Sequence, residues 1–345
     1  MTRKYRVGVA GLIHDHVWSI LKQLRGLENV DLTSAADLNE PLLARVREEY
    51  GVKRTYKSYE ELFKKEELDA VLIYTENSRH AEITEMAAER GINVMVEKPM
   101  AATLEQAERM MRAARKYGVR LMVNYPTAWF QGIRYAHKFA AEGNIGRVFL
   151  VRYRAAHQGP KEMGCSPYFY EWLYNPELNG AGAYMDYCCY GANMSRWILG
   201  MPEKVTALGG TYVRDYLTVE DNAILIMGYP KAMGIAEASW SQVGDGIPPR
   251  YTLILTGSDG VVAGGQREVR IYLQEEKRWR TIQAPPLEEG RRNAPEHFIK
   301  CIDRDEPFDD PVSLLINRDT QIILEAGLIS MKEDRVVYIK DVEVE

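Results

Sequence analysis

The sequence has few cysteines and no basic stripe. Its four cysteines among 345 residues are Cys165, Cys188, Cys189 and Cys301. Their spacing fits neither a metal-ligand set nor a disulfide framework, so we expect reduced cysteines that pack in the interior. The 44 lysines and arginines are scattered among 49 acidic residues, which leaves none of the basic surface that a nucleic-acid partner requires.

Long apolar runs are also missing. No stretch approaches the roughly 20 apolar residues that a membrane-spanning helix needs. The first residues, Met1–Lys4, lead into a short strand without the apolar segment of a secretory signal. Hydrophobic residues make up 46% and charged residues 27%, which is the balance of a globular protein. We predict a cytoplasmic protein with no membrane partner, and its length predicts two domains.

The first third of the chain alternates strand and helix patterns. Apolar runs predict strands at residues 5–10, 30–36, 70–74, 92–96 and 121–123. Capping boxes at Ser58–Glu61 and Thr103–Gln106 mark two helix starts between them. This order is typical of an α/β fold with a doubly wound parallel sheet, the Rossmann architecture. We assign a dinucleotide-binding domain to residues 1–123.

Beyond residue 123 the pattern changes. It predicts, in order, a helix at 128–141, a strand at 147–156, an aromatic loop, a helix at 183–199, several strands between 205 and 282, and helices at 295–302 and 314–331. The strands are short and β-branched, with glycine or proline between them. We therefore predict that residues 124–345 form an α+β domain with an antiparallel or mixed sheet.

The loop after the first strand keeps one glycine of a dinucleotide fingerprint. Residues 11–16 read Gly-Leu-Ile-His-Asp-His where G-x-G-x-x-G is typical. Gly11 makes the tight turn, whereas the Cβ of Ile13 should push a pyrophosphate outward or remodel the loop. Helix N–H groups, supplemented by the imidazoles of His14 and His16, could still hold phosphate. The alternative is a turn that no longer binds a nucleotide.

Two further inferences concern the same loop. Asp37 closes the second predicted strand, where a carboxylate accepts the ribose hydroxyls of NAD and repels the 2′-phosphate of NADP, so we predict NAD and disfavour NADP. His14-Asp15-His16 also resembles a ligand cluster. Neighbours in a turn diverge, and no second cluster has zinc spacing, so we predict no metal.

Glu97-Lys98-Pro99 follows the predicted strand at residues 92–96. Ligands of an open α/β sheet bind beyond the carboxyl ends of its strands, so a lysine at this junction would face the reacting end of a cofactor. Pro99 fixes its own φ and biases Lys98 toward an extended conformation. The alternative is an ordinary strand exit with a solvated lysine.

Five features in this order resemble the glucose-fructose oxidoreductase / inositol dehydrogenase / MocA family. They are the Gly11 turn, Asp37, Tyr74–His80, Glu97-Lys98-Pro99 and the glycine-rich run Gly180–Asp186. The resemblance spans nearly the whole chain. It implies a Rossmann domain, a second domain whose open, mostly antiparallel sheet forms a homo-oligomer interface, and NAD(H)-dependent oxidation or reduction of sugars, cyclitols and related alcohols or carbonyls. Two departures are the missing glycines and Glu76, where the family often has proline.

The resemblance also implies a catalytic set. The family pattern Asp-x-x-x-His corresponds here to Asp186 and Tyr190, and some branches use tyrosine at the second position. Positions i and i+4 share a helix face, so both side chains can reach one substrate. We hypothesise that Lys98 and Tyr190 handle the proton and that Asp186 orients the substrate. The charge of Lys98 should lower the pKa of the Tyr190 phenol, whereas burial should raise it. The alternative is that Tyr190 is an aromatic residue of the core with no catalytic role.

The remaining site residues are cofactor and substrate contacts. By resemblance the cofactor site extends to Thr75, Asn77, His80, Glu97 and Lys98, with Asn77 beside the ribose or the carboxamide. An aromatic cluster with polar tips suits a small, sugar-like substrate, and its predicted contacts are Tyr125, His157, Tyr168 and Trp172. The alternatives are a packed loop and a structural histidine.

Two other classes of protein fit the same residues. One is a silent ligand-binding or regulatory protein that kept the fold, which the altered glycine loop favours. The other is a non-redox lyase, isomerase or glycosidase that uses a resident NAD.

Overall fold

The computed structural model describes residues 3–244 and 250–342, so Met1 and Thr2 of the N-terminal segment lie outside it. The first sheet has six parallel strands: β1 (Tyr5–Ala10), β2 (Val30–Ala36), β3 (Arg54–Tyr56), β4 (Ala70–Ile73), β5 (Asn93–Glu97) and β6 (Leu121–Asn124). Their order is β3-β2-β1-β4-β5-β6. The predicted doubly wound sheet is confirmed, and only the three-residue β3 was missed.

Helices cover both faces of this sheet. They are α1 (His16–Leu24), α2 (Glu40–Tyr50), α3 (Tyr59–Lys65), α4 (His80–Ala88) and α5 (Leu104–Tyr117). The Ser58 hydroxyl accepts the Glu61 N–H at 3.3 Å, and the Thr103 hydroxyl accepts the Gln106 N–H at 3.3 Å. Each hydroxyl bonds one of the N–H groups that a helix start leaves without a partner, so the predicted starts of α3 and α5 are confirmed.

The strand order reverses between β1 and β4, and the loops that follow these two strands face each other. Gly11 has φ +87°, and a Cβ there would lie 2.6 Å from the backbone nitrogen of Thr75. Only glycine fits this approach. Such a reversal opens a crevice at the carboxyl ends of the strands, which is where nucleotides bind in open α/β sheets.

The second sheet has nine strands: β7 (Val148–Ala156), β8 (Lys204–Gly210), β9 (Asn222–Gly228), β10 (Met233–Ser239), β11 (Thr252–Gly257), β12 (Gly260–Gly264), β13 (Glu268–Leu273), β14 (Arg278–Gln283) and β15 (Val337–Tyr338). Their order is β14-β13-β12-β11-β7-β10-β9-β8-β15. Neighbours are antiparallel except for β7 and β10, which run parallel. The predicted mostly antiparallel sheet is confirmed.

Six helices accompany this sheet: α6 (Gln131–Ala141), α7 (Pro167–Leu173), α8 (Pro176–Asn179), α9 (Cys189–Leu199), α10 (Ala294–Asp303) and α11 (Leu314–Glu333). The predicted helix at 183–199 is in two parts, because a π turn over Tyr184–Cys188 precedes α9. The predicted aromatic loop contains α7 and α8, which are too short for a periodic signal. The boundary after residue 123 stays a prediction, and β6 includes Asn124.

The four cysteines are free. Cys188, Cys189 and Cys301 are buried, as expected of packing residues, whereas Cys165 is only partly buried. Within the described residues, no helix is long and apolar enough to cross a membrane.

We expect acid to unfold this protein sharply. Burial lowers the pKa of His80, His157 and His297 to about 4 and that of His14 well below its ordinary value. As the pH falls, the histidines of the unfolded chain are protonated first, near pH 6.5. The free energy of unfolding therefore has its highest value above that pH and falls as the pH drops toward 4. Each of the three histidines with a pKa of about 4 contributes about 3 kcal/mol to the fall.

Urea denaturation at a series of pH values between about 7.5 and 4.5 measures this slope. His297→Gln is the matched variant, since it removes one of the buried imidazoles and should make the slope shallower. A free energy of unfolding that stays constant from pH 6.5 to pH 5 would contradict the prediction.

Candidate active site

The end of β5 places Lys98 in the interior between the two sheets. Its ammonium donates to the Asp186 side chain at 2.5 Å and to the Asp186 backbone carbonyl at 3.2 Å, and only 3% of the residue is exposed. Burial by itself would lower the pKa of Lys98, but the Asp186 carboxylate outweighs burial and raises it. The lysine is therefore charged and buried, which rules out a solvated strand exit.

Both carboxylate oxygens of Asp186 have protein partners. Lys98 Nζ bonds Oδ1, and Trp240 Nε1 donates to Oδ2 at 3.0 Å. This differs from the expectation that Asp186 turns toward a substrate, because the carboxylate faces Lys98 instead. Trp240 was missed by the sequence reasoning, since nothing local in the sequence relates it to a residue 54 positions earlier.

Tyr190 lies in a cage of aromatic rings. Its ring centroid is 5.4 Å from that of Tyr125, 5.8 Å from that of Tyr153 and 5.1 Å from Lys98 Nζ. Burial raises the pKa of Tyr190 well above its ordinary value, and the lysine charge does not reverse this. Of the two opposing influences predicted from sequence, burial wins, so the phenol is neutral at physiological pH.

The hydroxyl of Tyr187, one turn earlier, lies 3.2 Å from that of Tyr251. Tyr190 offers a neutral phenol whose ring lies under a fixed ammonium.

The loop after β1 is covered by α7. The His14 ring lies 4.6 Å from Phe169 and 5.8 Å from Trp172, and the Ser166 N–H donates to the Asp15 carboxylate at 2.8 Å. His14 is buried, whereas the side chain of His16 is 39% exposed. Of the two imidazoles predicted to supplement the helix N–H groups, only that of His16 is accessible.

Asp37 is also bonded within the protein. One oxygen accepts the Leu12 N–H at 2.6 Å, and the other accepts the backbone and side-chain N–H groups of Asn39 at 2.7 and 2.9 Å. The residue is fully buried. The carboxylate therefore closes the loop after β1, whereas the sequence expectation had it open to the ribose.

Glu97 joins the loop from β5. Its carboxylate lies 3.1 Å from His16 Nδ1 and accepts the Asn124 side-chain N–H at 3.0 Å. His14, His16 and Glu97 each place one potential metal-ligand atom within 4.8 Å of the others, which the sequence reasoning missed because Glu97 is distant in sequence. His14 Nδ1 accepts the His16 N–H at 3.3 Å, so hydrogen bonds within the cluster already occupy these groups. The absence of a metal stays a prediction.

The residues after β4 fit a bound nucleotide. Asn77 donates to Asn179, yet its buried Oδ1 has no partner, and neither does Nε2 of His80 nor Nε1 of Trp172 among the described residues. Thr75 is buried beside Gly11. Buried polar atoms without partners are costly, and Asn77 and His80 follow β4 at the crevice between β1 and β4, where such atoms could bond a ligand.

The predicted substrate contacts divide into two groups. Tyr125, Trp172 and His157 are buried, and the His157 ring lies 5.0 Å from that of Tyr187, at the edge of a cavity of about 350 Å³. Tyr168 differs from the expectation, because 37% of its surface is exposed on the solvent side of α7. Helix geometry explains this, since Phe169 and Trp172 occupy the inner face.

Comparison with known proteins matches both halves of the chain. Residues 5–125 match a family model described as an oxidoreductase family with an NAD-binding Rossmann fold. Residues 133–263 match the GFO/IDH/MocA C-terminal domain.

Individual relatives match between about half and nearly all of the chain. D-apiose dehydrogenase of Paraburkholderia graminis is 24% identical over 96% of this chain and 88% of its own length. D-xylose 1-dehydrogenase (NADP(+)) 2 of Haloferax volcanii is 28% identical over 58% of this chain and 59% of its own. Aldose-aldose oxidoreductase from Caulobacter crescentus, complexed with glycerol, superposes with a TM-score of 0.83 at 24% identity, covering 97% of this chain and 100% of that one. The superposition on the aldose-aldose oxidoreductase structure establishes the fold.

Proposed function

The chain belongs to the GFO/IDH/MocA oxidoreductase family, and from this premise we propose that it transfers a hydride between nicotinamide and a hydroxyl or carbonyl carbon of a sugar, cyclitol or related compound. The observation that carries the proposal is the buried Lys98 ammonium, held by Asp186 and lying over the ring of Tyr190, at the carboxyl end of β5. The sugar and dehydrogenase names of the relatives support this substrate class.

Each residue has a separate task in this proposal. An ammonium has three N–H groups, and Asp186 accepts two from Lys98, which leaves one for the substrate oxygen. Tyr190 gives its proton to that oxygen in reduction and takes it back in oxidation. Asp186 acts on Lys98 by keeping it charged and oriented. The bound nicotinamide supplies or accepts the hydride.

The cofactor is held at the β1/β4 crevice. We assign the phosphates to the loop that leads into α1, where the N–H groups of Ile13 and Asp15 make no hydrogen bond within the described residues. Asn77, His80 and Trp172 would bond the nicotinamide end through their unpartnered atoms. NAD in preference to NADP stays a prediction, and the NADP(+) relative shows that the family does not decide it.

His16 replaces a fingerprint glycine as a phosphate ligand in this proposal. The Nδ1 of His16 lies 3.1 Å from the Glu97 carboxylate, which leaves Nε2 for the anion. We expect His16→Gly to weaken NAD binding about tenfold, the worth of one charge-assisted hydrogen bond, although this change restores a glycine. Ile13→Gly, the matched restoration on the same loop, removes only a Cβ and should strengthen binding or leave it unchanged. Titration calorimetry measures both, and tighter binding by His16→Gly would contradict the assignment.

Cofactor binding and turnover test the proposal together. Native mass spectrometry of the purified chain detects retained NAD, and titration with NAD and NADP follows. A panel of aldoses, inositols and anhydrosugars is then scanned for the absorbance of reduced nicotinamide. We expect NAD binding and turnover of at least one polyol or sugar. Binding of neither cofactor would favour a silent ligand-binding protein, and retained NAD without net reduction would favour a non-redox enzyme.

A homo-oligomer through the second sheet and a cytoplasmic location stay predictions. The helices α9 and α11 pack against one face of this sheet, as the buried Val205 and Ala207 of β8 show. On the opposite face Leu208 is 63% and Met233 40% exposed. Exposed apolar side chains on an open sheet face support a partner there.

A further inference from the structure

Trp240 is the second partner of the Asp186 carboxylate. Its indole N–H donates to Oδ2 at 3.0 Å, while Lys98 holds Oδ1 at 2.5 Å. Trp240 is fully buried and Asp186 is 4% exposed. A hydrogen bond between an N–H and a carboxylate in such surroundings is strong, because no water competes for either atom.

The indole is fixed by the second sheet. Trp240 directly follows β10, and its backbone N–H donates to the Asp221 carbonyl at 2.7 Å. Its ring packs against Tyr174 with centroids 5.5 Å apart. The direction of the indole N–H is therefore set before any ligand binds.

This contact constrains how Asp186 can bond Lys98. A carboxylate on a rotatable side chain can turn both oxygens toward one ammonium, and that would occupy the third N–H of Lys98. With Oδ2 on the indole, the carboxylate offers Lys98 only Oδ1. The remaining bond of the ammonium is to the Asp186 carbonyl.

We propose that Trp240 is a positioning residue that holds Asp186 so that one N–H of Lys98 stays free for the substrate oxygen. This rests on the proposed role of Lys98. A residue that only filled the core would, on replacement, lower the free energy of unfolding without a specific loss of turnover.

Trp240→Phe keeps one aromatic ring and removes the N–H. We expect kcat to fall about 10- to 100-fold, as for a misplaced catalytic group, with KM and the NAD dissociation constant changed less than about twofold. Trp197→Phe makes the same chemical change where the ring stacks on His137, and it should leave kcat unchanged. If Trp240→Phe retains kcat within about twofold of the wild type, the proposal is wrong.

A double-mutant cycle tests whether Trp240 acts through Asp186. In an Asp186→Ala background, Trp240→Phe should cause no further loss of kcat, because the carboxylate it positions is gone. If the fold-losses of kcat in the two single variants multiply in the double variant, the two residues act independently and the proposal is wrong.

A spectroscopic measurement separates this inference from the proposed function. The indole N–H resonance of Trp240, identified by its absence in Trp240→Phe, should move in Asp186→Asn, whereas that of Trp197 should not. This readout needs no turnover and no cofactor. If the wild type is inactive but the Trp240 resonance moves in Asp186→Asn, the proposed function is wrong and the contact between Trp240 and Asp186 stands. If the resonance does not move, the contact itself is wrong.

Discussion

Replacement of Lys98 by methionine should lower kcat by about 10²- to 10³-fold while NAD affinity changes little. The side chain keeps its length but loses the charge that faces the substrate oxygen. In a buried site this charge stabilises the developing alkoxide far more than it would in water. Steady-state kinetics in both directions, with the NAD dissociation constant from calorimetry, measure the two effects separately.

The control for Lys98→Met concerns stability. Loss of the ammonium leaves the Asp186 carboxylate buried without its ion pair, which costs about 3–5 kcal/mol in comparable cases. The double variant Lys98→Met with Asp186→Asn removes the stranded charge, so it should recover most of the stability and none of the turnover. Wild-type kcat in Lys98→Met would reject the lysine assignment.

Tyr190→Phe should lower turnover by about 10²- to 10⁴-fold, the range for loss of a general acid, again with little change in NAD affinity. Because burial raises the pKa of Tyr190, the phenol keeps its proton across the neutral range. Carbonyl reduction should therefore be nearly constant in rate between about pH 6 and pH 9, whereas alcohol oxidation should accelerate toward alkaline pH.

Tyr187→Phe is the matched comparison. It removes a hydroxyl one helical turn away that is bonded to Tyr251 and also lies near Lys98, whose Nζ is 5.9 Å from its ring. We expect a small effect from this variant. If Tyr187→Phe loses turnover and Tyr190→Phe does not, the proton carrier is Tyr187. Alcohol oxidation that is independent of pH would contradict a neutral phenol at either position.

The sequence alone predicted the parallel sheet and the starts of α3 and α5. These features depend on apolar periodicity and on capping hydroxyls, which act over a few residues and so can be identified locally. The π turn before α9 and the short α7 were missed, because neither changes periodicity over enough residues.

The candidate site was predicted in its parts. Lys98, Asp186 and Tyr190 were identified by their motifs, but a motif does not state which atom bonds which. Lys98 and Asp186 are 88 residues apart, and His16 and Glu97 are 81 apart. The first contact arises where the turn that carries Asp186 packs on the end of β5, and the second arises because β1 and β5 end at the same edge of one parallel sheet.

What the sequence determined by itself is the architecture and the family, together with the residues that we propose for the site. What only the tertiary structure decided is the state of each group. Lys98 is charged because Asp186 reaches it, Tyr190 is neutral because aromatic rings bury it, and Asp37 closes a loop because Leu12 and Asn39 bond it. Charge state depends on burial and on neighbouring charges in three dimensions, and a linear sequence specifies these only through the folded chain.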